Sequence, residues 1–288
     1  MIEQFRPWVL TTASMLVNQI EPGSVDIIGR LTEPLPVMAI AHLLGLEMHQ
    51  WPTLKRWSSS IIGIDGVRDR GERFRDVLDA HHFFSQQVQI RKESPVADLI
   101  SYILHQTESM ERLTQLEVQA YCILLLVAGN ETTNGLMGNL LNVLANDRKL
   151  WDELRAGRIA ITSVVDEALR YDSPVQIVRR VVKRDAEING LHFRQGDLVE
   201  ACLGSANRDP LEFLDPERFE PMRDFRRHIA FGHGIHYCLG APLARMIAGT
   251  ALSELLARFK TFRSVRRGNR ISSYALSGFA SLPIELKA

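Results

Sequence analysis

Hydrophobic periodicity changes near Pro174, and this change limits the chain to one class of fold. Before it, apolar residues recur at spacings of three and four, which predicts amphipathic helices. These predicted helices cover residues 1–20, 35–46, 73–92, 94–106, 114–147 and 162–172. After Pro174, short apolar runs alternate with Gly, Asn and Asp, which predicts short strands. The sequence therefore predicts a mostly α fold with a minor β-sheet, formed by a single domain over residues 1–288.

A long segment without a regular period lies between the predicted strands and the last predicted helix. This segment, residues 211–240, contains several turn residues and no helical or strand pattern. The last helix begins near Pro242, and the C-terminal tail returns to short strands. Because long loops inside a compact domain are usually functional, we expect residues 211–240 to have a function.

Composition and charge exclude several classes of protein. The 288 residues carry a formal net charge of zero, so no overall field favours nucleic acid or an anionic membrane as a partner. The longest apolar run, CILLLVAG, is far shorter than a membrane span needs. The N-terminus lacks the pattern of a signal peptide, and the three cysteines are widely scattered. We therefore expect a cytoplasmic protein.

A cysteine lies in the glycine-rich stretch FGHGIHYCLG, residues 231–240. Glycines let a backbone approach another group closely, and a following helix start favours a thiolate. Cys238 is open to three interpretations: a buried structural cysteine, a zinc ligand together with His233 and His236, or the thiolate ligand of a haem iron. Structural zinc needs four ligands, and no second cysteine pair is present, which counts against zinc. The other two interpretations remain open on the residues alone.

Polar residues interrupt the apolar middle of the long predicted helix over residues 114–147, in LLLVAGNETTNGL. Such residues are poor helix formers, so one interpretation is a helix that stops at Gly129 before a newly capped one. The other is a bent helix in which Glu131 and Thr132 leave the backbone open for a ligand, and an acid beside an alcohol can relay protons.

Two further short motifs carry charge. Glu167 and Arg170 are three residues apart on one predicted helix, which by itself is typical of a surface ion pair. Arg218, in the sequence PERF of the irregular loop, could reach that pair. Taken alone, neither motif indicates a particular function.

Together and in this order, the four motifs resemble those of the cytochromes P450. The loop at residues 231–240 resembles the haem-ligand signature of that family, AGNETT resembles its central-helix motif, and EALR with PERF resembles its Glu-Arg-Arg triad. The resemblance spans essentially the whole chain. By comparison with full-length members of the family, however, the expected N-terminal helices and sheet are missing from the sequence. The resemblance implies an N-terminally truncated cytochrome P450 fold.

The resemblance also implies a role for each candidate site residue. Haem b would be bound with Cys238 as its axial thiolate, and His236 and Arg180 would contact the propionates, with Arg179 as a substitute for Arg180. Thr132 would stabilise dioxygen, and Glu131 would supply protons. The remaining expected haem-binding residues shield the sulfur or allow a close approach to the ring: Phe231, Gly232, Ala128, Gly129 and Gly240.

A haem-thiolate monooxygenase acting on a hydrophobic small molecule is the function that the resemblance implies. Electrons would come from a ferredoxin-like or flavodoxin-like partner. Its docking site would be a basic patch of Arg223, Arg226, Arg227 and Arg245, which can equally be interpreted as a solvated loop. The substrate would face residues on the central helix and two later segments: Leu124, Val127, Ala128, residues 175–178, and the turn near Ser277 and Phe279. The alternative is a non-catalytic or partner-dependent haem-binding remnant.

Overall fold

Helices form most of the first 171 residues, as the periodicity predicts. The structure, a computed structural model, describes residues 2–64, 69–105, 113–223 and 227–288. In these residues the helices are α1 (Ile2–Asn18), α2 (Pro34–Leu43), α3 (Trp51–Ile62), α4 (Arg70–Glu93), α5 (Leu99–His105), α6 (Gln115–Asn146), α7 (Arg148–Arg155), α8 (Ile161–Tyr171), α9 (Leu203–Ala206) and α10 (Ala241–Arg258). A π-helical turn covers Ile28–Thr32, and 3-10 turns cover Met48–Gln50 and Gly234–His236.

Short strands follow Pro174, again as predicted, with one more strand near the N-terminus. They are β1 (Gly23–Asp26), β2 (Ile177–Val181), β3 (Ala186–Ile188), β4 (Leu191–Phe193), β5 (Leu198–Cys202), β6 (Thr261–Ser264), β7 (Asn269–Arg270), β8 (Phe279–Ser281) and β9 (Pro283–Lys287). One antiparallel sheet has the order β1-β9-β6, and three two-stranded sheets pair β2 with β5, β3 with β4, and β7 with β8.

The central helix α6 does not stop at Gly129. It is continuous from Gln115 to Asn146, and a capping box of Thr114 and Glu117 starts it. Its polar residues are bonded inside the protein: for example, the Asn134 amide oxygen accepts the hydroxyl of Thr32 at 2.8 Å. Of the two interpretations of this stretch, the helix stop is therefore wrong, because tertiary partners satisfy side chains that would otherwise compete with the helix.

Helix α5 begins later than the sequence predicts. It begins at Leu99 rather than Ser94, because the Asp98 carboxylate accepts the Ser101 N–H at 2.7 Å and so caps the helix at that point. Gln106, the last residue of the predicted helix, lies outside the described residues.

Two apolar clusters form the core, and α6 contributes to both. The larger surrounds the second half of α6 with side chains from α1, α8, α10 and the three-stranded sheet. There, the rings of Trp151 and Phe262 stack at a centroid distance of 4.7 Å. The smaller joins α2, α3, α4 and α5 to the first half of α6. Among the described residues, the search for a helix long and apolar enough to cross a membrane finds none.

Candidate functional site

The loop before α10 presents Cys238 close to the start of that helix. Gly232 and Gly234 have φ angles of 73° and 72°, a left-handed backbone that favours glycine. The Cys238 N–H donates to the Phe231 carbonyl at 2.9 Å, which closes the loop. Gly240 is the N-cap of α10, so the Cys238 sulfur lies beside the positive end of a helix dipole.

Two of the three cysteines, Cys202 and Cys238, are accessible and lie at a helix start, and of these only Cys238 lies in a glycine-shaped loop. Cys122 is buried, and burial, with Asp98 as a smaller cause, raises the pKa of its thiol to about 12. Cys202 is exposed at the end of β5, and Cys238 is half-buried in the glycine-shaped loop. Among the described residues, no group of three or more His, Cys, Asp or Glu side chains could hold a metal ion. The zinc interpretation with His233 and His236 therefore has no ligand set.

A stripe of accessible side chains runs along the middle of α6, which is otherwise mostly buried. Tyr121, Leu124 and Ala128 are exposed and Thr132 is half-exposed, at the spacing of one helix face. We call these four residues the α6 stripe. The Thr132 hydroxyl donates to the Ala128 carbonyl at 2.6 Å. The α6 stripe therefore combines small and apolar side chains with the Thr132 hydroxyl on one accessible surface.

Gly129 does not belong to the α6 stripe. A Cβ atom at this position would lie 2.5 Å from the Ile40 Cδ1 atom of α2. The absence of a side chain at this position is therefore explained by helix packing, because neighbouring helix residues point about 100° apart and a Cβ atom on Gly129 would face α2. The expected role of Gly129 beside a haem ring stays a prediction.

The Glu131 carboxylate is bound by helix α3 rather than by Thr132. Lys55 Nζ lies 2.9 and 3.0 Å from its two oxygens, and the hydroxyls of Ser58 and Ser59 donate at 3.0 and 3.1 Å. The side chains of Glu131 and Lys55 are 2% and 12% exposed. Sequence reasoning missed Lys55, because no motif marks a lysine 76 residues before its partner.

The charged triad forms with Arg223 in place of Arg218. Arg170 binds Glu167 through two hydrogen bonds of 2.7 and 2.8 Å, and both side chains are buried. The third guanidinium is that of Arg223, whose Nε lies 3.1 Å from a Glu167 oxygen. Arg218 contributes only its backbone carbonyl, which accepts from Arg170 at 2.9 Å. Its side chain is 72% exposed and lies 3.9 Å from Asp215, so the expected role of its guanidinium is wrong.

The two arginines of β2 lie on opposite faces of the strand. Arg179 pairs with Glu200 at 2.7 Å, and its guanidinium lies 5.8 Å from the Tyr274 ring centre. Arg180 is exposed and donates to the Arg179 carbonyl, and no carboxylate of the described residues pairs with it. His236 is exposed as well. Arg180 and His236 are therefore free to bind an anionic group.

The two expected substrate-facing segments contact each other and α6. Val175 bridges Leu276, and the Ser277 N–H donates to the Pro174 carbonyl at 2.8 Å. A Cβ atom on Gly135 of α6 would lie 2.6 Å from the Ser277 carbonyl oxygen. Phe279 is an exception, since its side chain belongs to the buried core and does not face an open surface.

An ion network fixes the second of these segments. Arg270 binds Asp172 at 2.8 Å, and the same guanidinium donates to Asn139 of α6 at 2.8 Å. The Ser277 hydroxyl donates to Asp172 at 2.6 Å. The wall made by residues 174–178 and 275–278 is therefore tied to α6 by charge as well as by backbone contacts.

The expected basic patch is smaller than the sequence implies. Arg223 is buried against Glu167, and Arg245 pairs with Asp166 at 2.8 Å. Arg227 is exposed, and Arg226 lies outside the described residues.

Comparison with known proteins decides the family. A family model described as Cytochrome P450 matches residues 159–286. The chain is 35% identical to the putative cytochrome P450 YjiB of Bacillus subtilis over 90% of this chain and 67% of that protein. The chain belongs to the cytochrome P450 family. It is also 33% identical to 6-deoxyerythronolide B hydroxylase of Saccharopolyspora erythraea, over 99% of this chain and 72% of that protein.

Solved P450 structures confirm the fold. The structure of CYP109E1 from Bacillus megaterium in complex with corticosterone superposes with a TM-score of 0.90 at 33% identity, covering 99% of this chain and 78% of that one. The chain spans about two thirds of the length of the curated relatives it matches. Relatives named as a hydroxylase and an epoxidase identify it as a P450 monooxygenase by family, and haem is the cofactor of that family.

The described residues fit a haem. The group needs an accessible thiolate for its iron, apolar surface for its ring and cations for its propionates. Cys238 offers the thiol at a helix start, the α6 stripe offers small and apolar side chains, and Arg180 and His236 offer exposed donors. Each requirement is met by residues that are not already used in the core.

Proposed function

We propose that this chain binds haem b with the Cys238 sulfur as axial thiolate and inserts one oxygen atom of dioxygen into a hydrophobic small molecule. The observation that carries the proposal is the position of Cys238, half-buried in a loop shaped by Gly232 and Gly234 and next to the start of α10. A bound haem with this ligand supplies the electron donation that favours O–O cleavage.

Residues around the cysteine and along α6 complete the proposed cofactor site. Arg180 and His236 bind the propionates, a role supported by their exposure and by the lack of a carboxylate partner for Arg180 among the described residues. Phe231, Gly232 and Gly240 give the loop its shape, since the Phe231 carbonyl accepts the Cys238 N–H. Ala128 offers a small side chain on the α6 stripe, where a larger one would stand in the way of a ring.

Thr132 and Glu131 are the proposed catalytic pair. The Thr132 hydroxyl lies on the α6 stripe, where it can donate a hydrogen bond to a small polar molecule once it turns from the Ala128 carbonyl. The Glu131 carboxylate is held by Lys55 and two serines, so it reaches Thr132 only through water or by rotating. We therefore assign Glu131 a role in supplying protons through Thr132 or water, without a direct contact to substrate.

The proposed substrate is hydrophobic, and the proposed electron donor is a ferredoxin-like or flavodoxin-like protein of the cytoplasm. The wall of residues 174–178 and 275–278 presents half-buried aliphatic side chains beside α6. Structures of the relative CYP109E1 hold corticosterone and testosterone, which are compact apolar molecules. Three free cysteines fit a reducing compartment.

The test is the absorption spectrum of the reduced, carbon-monoxide-bound protein after haem is supplied to the full chain. We expect a Soret band at about 450 nm, which is typical of thiolate ligation. Cys238→Ser should abolish that band and leave one at about 420 nm or no bound haem. Cys202→Ser is the matched control, because it removes the other accessible thiol and should leave the band unchanged.

Two outcomes would contradict the proposal. A red-shifted band that survives Cys238→Ser would assign the ligand to another residue, and a chain that takes up no haem at all would remove the cofactor. Haem uptake with the expected band, followed by no oxygenation with any added donor, would favour the haem-binding remnant over the monooxygenase.

A further inference from the structure

A charged pair lies behind the cysteine loop and joins two helices. Asp166 of α8 accepts the Nε–H of Arg245 of α10 at 2.8 Å. His228, which precedes the loop, lies with its Nε2 atom 3.7 Å from the same Asp166 oxygen and is 7% exposed. Burial opposes a charged Asp166, yet the contacts to His228 and Arg245 hold the pKa of this carboxyl below its ordinary value. The pair is therefore charged at neutral pH.

The same guanidinium lies over the ring of Phe231. The Arg245 Cζ atom is 4.6 Å from the ring centre, a distance typical of a cation–π contact. The Phe231 ring also meets Tyr237 at 6.3 Å in an edge-on arrangement. Burial alone would lower the pKa of Arg245, but Asp166 and, to a smaller extent, Tyr237 raise it above its ordinary value. This direction agrees with a guanidinium that lies between the Asp166 and Tyr237 side chains.

Both residues held by Arg245 connect directly to Cys238. The Phe231 carbonyl accepts the Cys238 N–H at 2.9 Å, and Tyr237 is the preceding residue of the chain. A displacement of Phe231 that includes its backbone is therefore passed directly to the backbone that carries the sulfur. Asp166 is fixed in α8, so α8 determines where the cysteine loop can lie through a single arginine.

We propose that Arg245, anchored by Asp166, is a positioning residue that fixes Phe231 and through it the Cys238 backbone for metal ligation. This inference rests on the proposed role of Cys238 as haem ligand. It assigns Arg245 to the inside of the cysteine site, whereas the sequence alone left a docking patch and a solvated loop as alternatives. Its guanidinium is 34% exposed and already has two partners within the protein.

The first test measures how fast a thiol reagent modifies Cys238 in the haem-free full chain. The parent protein carries Cys202→Ser, so that Cys238 is the reactive thiol and Cys122 stays buried. Arg245→Gln should raise the modification rate about three- to tenfold, because both the ion pair and the ring contact are lost. Asp166→Asn should raise it in the same direction, and Arg245→Lys, which keeps the charge but not the flat guanidinium, should fall between.

Arg258→Gln is the matched control for general weakening of α10. Arg258 lies on the same helix, its guanidinium lies 5.2 Å from the Phe259 ring centre, and it bonds the Val17 carbonyl far from the cysteine loop. It should leave the modification rate of Cys238 unchanged. An unchanged rate in Arg245→Gln would overturn the proposal, as would an equal rise in Arg258→Gln. If Arg245→Gln does not fold, Arg245→Lys and Asp166→Asn decide the matter.

The second test uses the haem-loaded chain and measures how fast the red-shifted carbon-monoxide band decays in mild denaturant. Arg245→Gln and Asp166→Asn should accelerate its conversion to the band of a displaced thiolate, and Arg258→Gln should not. A parent protein without the red-shifted band contradicts the role of Cys238 as ligand, whereas a normal parent band with equal decay in all variants contradicts only the role of Arg245.

Discussion

Replacing Arg223 by Ala tests which arginine completes the buried triad. Its side chain is 9% exposed, and its guanidinium bonds Glu167 and the backbone carbonyls of Leu214, Asp215 and Arg218. The matched control is Arg218→Ala, five residues earlier in the same loop. Both substitutions remove one arginine and the same net charge, so the difference between them depends on contacts alone.

The contacts predict a large difference in the free energy of unfolding. Removing one partner of a buried ion pair costs about 3–5 kcal/mol, because the other charge remains buried without compensation. Arg170 still binds Glu167 in the Arg223 variant through two hydrogen bonds, so we expect a loss of about 3 kcal/mol, at the lower end. Arg218 makes only an exposed ion pair with Asp215, which is worth about 0–1 kcal/mol.

Urea unfolding followed by circular dichroism measures both losses on the same chain. The midpoint should fall clearly for Arg223→Ala and hardly at all for Arg218→Ala, with similar denaturant slopes. If Arg218→Ala is the more destabilising variant, or if both cost less than about 1 kcal/mol, the assignment of Arg223 to the triad is wrong.

Three further predictions concern Lys55, His42 and Cys122. Lys55→Met should lower the free energy of unfolding in urea by about 3 kcal/mol, because it leaves the buried Glu131 carboxylate without its cation. Adding Glu131→Gln should recover part of this loss, because the side chain is then neutral. No recovery would show that the ion pair does not limit stability. His42 is exposed overall, but partial burial of its ring, which stacks on Trp8, lowers its pKa below 6.5; the unfolded chain therefore binds the proton first, and stability should fall slightly as pH drops below that value. His42→Phe, which keeps a ring against Trp8, should flatten that part of the pH profile, and an unchanged profile would assign it to other groups. The Cys122 thiol should resist a thiol reagent at about pH 8 until the chain unfolds, and rapid labelling of the native protein would show that the helices around it open.

Local signals in the sequence were sufficient for most of the fold. Helical spacing predicted α4 and α6, and the turn residues after Pro174 predicted the short strands. The sequence could not decide between a stop at Gly129 and a continuous helix, because local helix propensity says nothing about distant partners such as Lys55 or Thr32. Those partners make a polar stretch compatible with a continuous buried helix.

Part of the candidate site could also be predicted from the sequence. The glycines of the cysteine loop have the left-handed angles that their residue type implies. The choice between Arg218 and Arg223 could not be made, because PERFEPMR contains the pattern Pro-x-Arg twice within eight residues. Only the folded loop shows which guanidinium turns inward.

The backbone contacts between residues 174–178 and 275–278 affect how the proposed substrate-facing wall can diversify. Two stretches about a hundred residues apart in the sequence form one wall, and Arg270 locks that wall to Asp172 and Asn139. A substitution in either stretch therefore displaces the other, and their effects on substrate choice should not add. New specificities in this chain should arise through paired changes, in which a second substitution restores the fit that the first one disturbs.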